Sequence, residues 1–329
     1  MRENTKRFGT GFGLVTVIAT LIVGLVVGAA PADAQTSDTS QVTARWAGAI
    51  DTRSVAAVNQ AYWDQYASVQ SLPISWTGSL LGCLAGLTSP ATNAATLSAL
   101  NYVRSLAGLA PVTESPSLSA GAQQAALMMS ANGTLSHDPS PGWKCYTAAG
   151  AASAGRSNLA LSYPSITAGQ IIDLYMDDPG STNAAVGHRR WVLDPFTTQV
   201  GIGSTTTANA LTVIGPTSAN RPNPRYVGWP TAGYFPNAIE PDGRWSLSAG
   251  KRNVSFAKSR IKVYGPSGRL SVHKYAVENG YAMPTVVWQM PASFAKDGAY
   301  RVVVTNIHHR GSSKRFKTAY TVQLFTPSH

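Results

Sequence analysis

Between Asp51 and Gln70 the apolar positions Val55, Val58, Tyr62, Tyr66 and Val69 recur at three- and four-residue spacing, which gathers them on one face of a helix. Asp51 or Thr52 is placed to cap that helix, and Pro73 stops it. A second helical pattern runs from about Thr96 to Ala107, with Leu97, Leu100, Val103 and Ala107 on one face, Leu106 at its edge and Gly108 just past the end. A third spans about Ser117 to Ala131 and ends at Asn132-Gly133, where glycine suits the left-handed residue after a helix. Met128 and Met129 on this helix are read as core filler. A fourth covers about Ala168 to Asp177 and stops at Pro179-Gly180. The short apolar runs Gln199 to Gly203 and Ala210 to Ile214 read as strands. Helices followed by strands predict an α+β layering rather than a βαβ array.

After Pro216 the pattern changes. Asn220 to Pro230, rich in Pro, Asn and Arg, reads as a linker or an extended edge. Seven short alternating segments follow: Trp245 to Ser248, Val254 to Phe256, Ile261 to Tyr264, Leu270 to Tyr275, Thr285 to Trp288, Tyr300 to Thr305 and Tyr320 to Phe325. Turn signals such as Gly265-Pro266-Ser267-Gly268 separate them, and together they predict a small all-β sandwich of Ig-like type.

The ends and the charges refine this outline. Arg2, Lys6 and Arg7 precede an apolar stretch from about Leu14 to Val27, which closes at Ala32-Asp33-Ala34, the small-x-small pattern of a cleaved export signal. The other reading of the same stretch is an uncleaved membrane anchor. About 295 residues then remain, enough for two domains in a secreted or envelope-held protein. Cys83 and Cys145 are the only cysteines, and an isolated pair in an exported chain reads as a disulfide, the alternative being two buried thiols. Closing that loop would stabilise the fold by about 4 kcal/mol on chain-entropy grounds. Of the formal net charge of +11, Pro216 to His329 contributes +12, with 16 Lys and Arg against 4 Asp and Glu. Gln35 to Gly215 carries −2. This asymmetry implies different partners for the two halves. An anionic envelope polymer or membrane surface is the expected partner of the basic half, and no motif for sequence-specific nucleic-acid binding is present.

Three stretches carry a family resemblance. Leu97 to Val112, ending in Gly108-Leu-Ala-Pro-Val112, is similar to the first helix and turn of CAP domains, the superfamily of cysteine-rich secretory and pathogenesis-related proteins. Ser117 to Gly133 followed by Ser136-His137 resembles the second helix and the histidine that closes it. Gly187-His188-Arg-Arg-Trp-Val-Leu-Asp-Pro195, with Gln199-Val-Gly-Ile-Gly203 after it, resembles the Gly-His segment and its following strand. The resemblance implies a CAP-type α-β-α sandwich. The expected organisation is therefore a signal over 1–34, a helical extension over 35–92, a CAP (SCP-like) domain over 93–215 and a basic β-sandwich over 216–329.

By the same resemblance, His137 and His188 would meet in an open cleft with two acidic residues. Here Arg156-Ser157-Asn158-Leu159-Ala160 stands where the family has Gly-Glu-Asn, so Ser157 replaces the first glutamate, and Asp178 aligns with the second acid. The cleft candidates are thus His137, Ser157, Asp178 and His188. Two imidazoles and one carboxylate, His137, His188 and Asp178, are a ligand set for zinc with open positions. The set serves equally as a structural polar cleft, and Ser157 lacks the elbow sequence of a serine nucleophile. No catalytic residue is assigned. The favoured expectation is a non-catalytic exported protein that binds a small apolar or lipid ligand, as sterol- and lipid-binding CAP members imply, held at the envelope by its basic half. A metal-assisted hydrolase acting on peptide or wall material and a structural protein with a vestigial cleft are the alternatives.

Overall fold

A computed structural model describes residues 46–222 and 224–329, together with the backbone of residues 36 and 37. The expected export signal lies outside the described residues. Among those described, no helix is long and apolar enough to cross a membrane.

The first two helices start where a serine supplies a partner for their first free N–H groups. α1 (Val55–Gln65) is capped by Ser54, whose Oγ accepts from Ala57 N at 3.2 Å, and not by Asp51 or Thr52. Asp51 is instead bound to Arg53. α1 also ends earlier than its apolar spacing predicts, and a 3-10 turn over Ala67–Val69 follows. α2 (Pro90–Leu106) starts six residues before the predicted Thr96, because Ser89 caps it and Pro90 occupies its first turn. β2 (Thr113–Glu114) leads into α3 (Pro116–Asn132), which Gly133 closes at φ 60° as predicted. α4 (Ala148–Ala154), β3 (Ser157–Leu161) and α6 (Gly187–Val192) have no counterpart among the predicted elements. α5 (Gln170–Asp177), β4 (Gln199–Ser204) and β5 (Ala208–Thr212) match theirs.

β2, β4, β5 and β3 form one sheet in that order. α3 lies directly on β4, and two glycines permit it. A Cβ on Gly203 would fall 2.1 Å from Gln123 N, and one on Gly201 would fall 2.4 Å from the Leu118 carbonyl carbon, so any side chain there would push the helix off. Met128 and Met129 are fully buried in the small core between this helix and the sheet, with Ala122, Ala125 and Ala126.

The C-terminal region is all β. β6 (Tyr226–Trp229), β7 (Gly233–Pro236), β8 (Arg244–Ala249), β9 (Val254–Ser255), β10 (Arg260–Gly265) and β11 (Gly268–Leu270) come first. β12 (His273–Lys274), β13 (Thr285–Gln289), β14 (Gly298–His309) and β15 (Arg315–Phe325) complete it. A four-stranded sheet runs β12-β13-β8-β6, and a larger one runs β15-β14-β10-β11 with β7 on β15 and β9 on β14. The backbone of β1 (Thr36–Ser37) adds to β15 in parallel. The fold class is α+β, a CAP-type part followed by a β-rich region.

One open reading for this region is decided and one expectation needs correction. Tyr226 to Trp229 is the edge strand of the small sheet, so of the two readings of Asn220 to Pro230 the extended edge holds there, with Trp229 fully buried. The segment Leu270 to Tyr275 is not one strand: β11 ends at Leu270 in one sheet and β12 begins at His273 in the other. The apolar core passes without a break from Leu100, Val103 and Leu106 of α2 to Trp229, Trp245 and Trp288 of the sheets. α1 adds Val58 and Ala61 to that core, and hydrogen bonds from Tyr234 N to Thr52 O just before the helix and from Asn59 Nδ2 to Ser328 O tie it to the C-terminal region.

Candidate functional site

α5 ends on Asp178, a non-glycine residue held at φ 51° and fully buried. Arg244 of β8 donates from its guanidinium to the Asp178 and Gly180 carbonyls at 2.7 and 2.9 Å, fixing that turn from the C-terminal region. The Asp178 side chain reaches the start of α6. Its Oδ2 accepts from His188 N at 2.9 Å and Arg189 N at 3.4 Å, which satisfies first-turn amides that have no partner within the helix. Its Oδ1 lies 2.8 Å from His188 Nδ1. A carboxylate only accepts, so the half-buried His188 ring donates to it from Nδ1.

His137 is held by another route. Its Nδ1 lies 3.0 Å from the Ala154 carbonyl, an acceptor only, so Nδ1 is the donor. Both histidines are anchored to the α4–β3 segment, His137 through that ring contact and His188 through its carbonyl, which accepts from Asn158 Nδ2 at 3.0 Å. The Asn158 carbonyl and Asn209 Oδ1 lie 3.0 and 2.8 Å from Tyr175 OH and share its single proton. The Tyr175 ring lies 5.6 Å from that of His188.

Ser157 is elsewhere employed. It is buried, and its Oγ donates to the Ser153 carbonyl at 2.7 Å and sits 2.9 Å from Thr212 Oγ1, so it is not a cleft-facing hydroxyl. Where a glutamate would carry charge, this chain ties α4 to β5. The structure therefore joins Asp178 to His188 and leaves Ser157 apart. Among the described residues no group of three or more His, Cys, Asp or Glu side chains is disposed to hold a metal ion. Both Asp178 oxygens are engaged, Oδ1 by His188 and Oδ2 by the first amides of α6.

Residues with no assigned role in the sequence complete the site. Arg189 and Arg190, directly after His188, are buried hooks into the C-terminal region. Arg189 donates to the Met176, Asp177 and Arg244 carbonyls, and Arg190 to those of Glu278, Tyr281 and Met283. Asp177, beside Asp178, is pushed up to about 7 by burial first and by repulsion from Asp173 second. Burial likewise pushes Asp173 up to about 6, although a hydrogen bond from Tyr66 opposes the rise. The signal that could have exposed the arginines was their position: two guanidinium groups beside the apolar Trp191-Val192-Leu193 need buried acceptors if that stretch packs inward.

Residues 97–214 match the CAP family, the cysteine-rich secretory protein family. The chain carries a CAP domain. The matched span contains His137, Asp178 and His188, and it ends two residues before the basic C-terminal stretch begins. No curated protein matches the chain. Among solved structures, PcoC, a methionine-rich copper resistance protein from Escherichia coli, aligns over 30% of this chain and 93% of its own, at 16% identity and a TM-score of 0.23. The Cys83–Cys145 disulfide is formed, with Cα atoms 5.0 Å apart across 62 positions of sequence, and it ties the segment before α2, ahead of the matched span, to the loop before α4 within it.

Proposed function

We propose that this chain is an exported CAP-domain protein that binds a small apolar or lipid ligand and is held at an anionic cell envelope by its basic C-terminal region. The observation that carries this reading is one sheet face. β10, β11, β14 and β15 contain no Asp or Glu. Arg260, Lys262, Arg269 and Arg301 are all exposed on neighbouring strands. Tyr264 is registered opposite both Arg301 and Arg269, and Lys262 and Arg260 follow it at two-residue intervals, so the four cations share one face. Like charges set side by side oppose folding slightly and raise a positive potential that a polyanion relieves.

The ligand half of the reading draws on the histidines. The exposed His137 ring and the half-buried His188 ring suit an apolar molecule with one polar group for an imidazole nitrogen to engage. No carboxylate at His188 is left over for activating water, since Asp178 is fully engaged.

Two measurements test the two halves. On a polyglutamate column the wild type should elute at higher salt than Arg260→Gln/Lys262→Gln/Arg269→Gln/Arg301→Gln, because each removed cation lowers the salt dependence of retention. Equal elution would remove the sheet face from the account. A labelled fatty acid or sterol should be drawn into solution saturably by the wild type and less so by His188→Ala; failure to extract either class of lipid would remove the ligand.

A further inference from the structure

The strongest feature outside the CAP cleft is a hairpin that presents leucine to water. No charged residue occurs between Asp64 and Arg104. Within that stretch Leu80, Leu81, Leu84 and Leu87 are exposed at 41, 101, 59 and 74%. The segment is not a loose loop. Ser79 and Leu84 exchange both main-chain hydrogen bonds at 2.9 and 3.0 Å, Thr77 N donates to Leu87 O, and Trp76 Nε1 donates to Ala85 O at 2.7 Å. The two arms press so closely that a Cβ on Gly86, at φ 61°, would fall 2.2 Å from Gly78 N. The disulfide from Cys83 to Cys145 fastens the tip to the CAP domain. Folding thus holds apolar side chains outward that it would ordinarily bury, and such a patch marks a contact surface.

We infer that this hairpin is a preformed wedge that enters the apolar boundary of a lipid bilayer. Three features of the tip choose lipid over a protein partner. Its side chains are leucines, a residue under-represented among protein hot spots, with none of the Tyr, Trp or Arg anchors that dominate such interfaces exposed among them. Its exposed leucine surface amounts to less than three whole residues, short of the roughly 800 Å² per partner that a stable interface between two copies takes. Its arms satisfy main-chain groups across the hairpin, the condition for backbone to leave water for lipid. A rigid tip also loses little conformational freedom on insertion. The inference concerns a surface separate from the cleft and from the basic sheet face, so it survives the failure of either.

The test is vesicle co-sedimentation of the full chain with phosphatidylcholine vesicles containing about one third phosphatidylglycerol. At about 1 M salt the screening length falls to ~3 Å, so attraction through the basic face is suppressed and insertion persists. Under that condition Leu81→Ser/Leu84→Ser should partition about tenfold more weakly than wild type, since each leucine contributes through its transfer from water. Leu81→Met/Leu84→Met should retain wild-type partitioning, and neither variant should shift the melting temperature, because both side chains are exposed. Three results would overturn the inference: no partitioning of the wild type at high salt, equal partitioning of the serine variant, or wild-type dimers that the serine variant abolishes without vesicle binding by either protein.

Discussion

The CAP domain and the C-terminal sheet both use arginine, in opposite surroundings. Arg104, Arg189 and Arg190 are buried and spend their guanidinium protons on main-chain carbonyls. Arg260, Arg269 and Arg301 are exposed on strands without a carboxylate. In the first region the cation is a clamp, and its charge is incidental to five planar donors that reach several acceptors at once. In the second the charge itself is the feature. A net charge of +11 therefore overstates the smooth positive field of the molecule, because part of it is internal.

The largest test of this contrast is Arg104→Ala. Arg104 on α2 donates to the Ala110 carbonyl through Nε and Nη2, and to the Val192 and Asp194 carbonyls through Nη1 at 2.7 and 2.9 Å. It locks the turn after α2 against the end of α6, the helix that carries His188. Truncation leaves three buried carbonyls without a donor, at an expected cost of about 3–5 kcal/mol. Arg104→Lys should recover less than half of this, since an ammonium cannot span the three sites. A loss below about 1 kcal/mol in urea denaturation would show that the clamp reading is wrong.

Arg104 also shows where sequence reasoning reaches its limit. The helix α3 and its Gly133 stop were legible because capping and periodicity are local, whereas His188 was found through family resemblance and the short helix α6 that carries it was not predicted. The start of α2 was missed because Ser89-Pro90, a strong local signal, preceded the apolar period that defined the prediction. β6 was obscured by the prolines and arginines around it, although its own Tyr-Val-Gly-Trp is apolar. Of the site, His188 and Asp178 were found, but their direct pairing depends on the left-handed turn at Asp178, which Arg244 supports from 66 positions away. Ser157 was placed in the cleft by alignment with a glutamate, whereas a shorter side chain at that point reaches only its own neighbours, Ser153 and Thr212.

An intermediate effect is expected at Asp177, which lies beside one of the clamps. Arg189 donates to the Asp177 carbonyl and not to its carboxylate, so the buried acid is only partly compensated. Asp177 at about 7 and Asp173 at about 6 both stand above the ordinary value of 3.8. Between roughly pH 4 and 7 the folded chain then holds protons that the unfolded chain has released, so their stabilising contribution is complete below pH 4 and is lost as pH rises through 6 to 7. Asp177→Asn should therefore be more stable than wild type at pH 8, on the order of 2 kcal/mol, and lose that advantage at pH 5. A constant difference across this range would mean that Asp177 is ionised throughout.

The smallest expected effect has the opposite sign to the first, and that sign is what separates the two uses of arginine. Arg301 is registered opposite Tyr264, with Lys262 diagonal to it and Arg269 on the strand beyond. Among the described residues no ion pair involves it, so Arg301→Gln removes repulsion and breaks no salt bridge. Stability at low salt should rise by up to about 0.5 kcal/mol, the scale of a like-charge pair across strands. The gain should vanish at about 0.5 M salt, where screening already removes the repulsion. A clamp behaves otherwise: Arg104→Ala should be destabilising at every ionic strength, because its carbonyl partners are buried and screened little by salt. Loss of stability in Arg301→Gln at both salt concentrations would place Arg301 with the clamps and remove it from the basic sheet face.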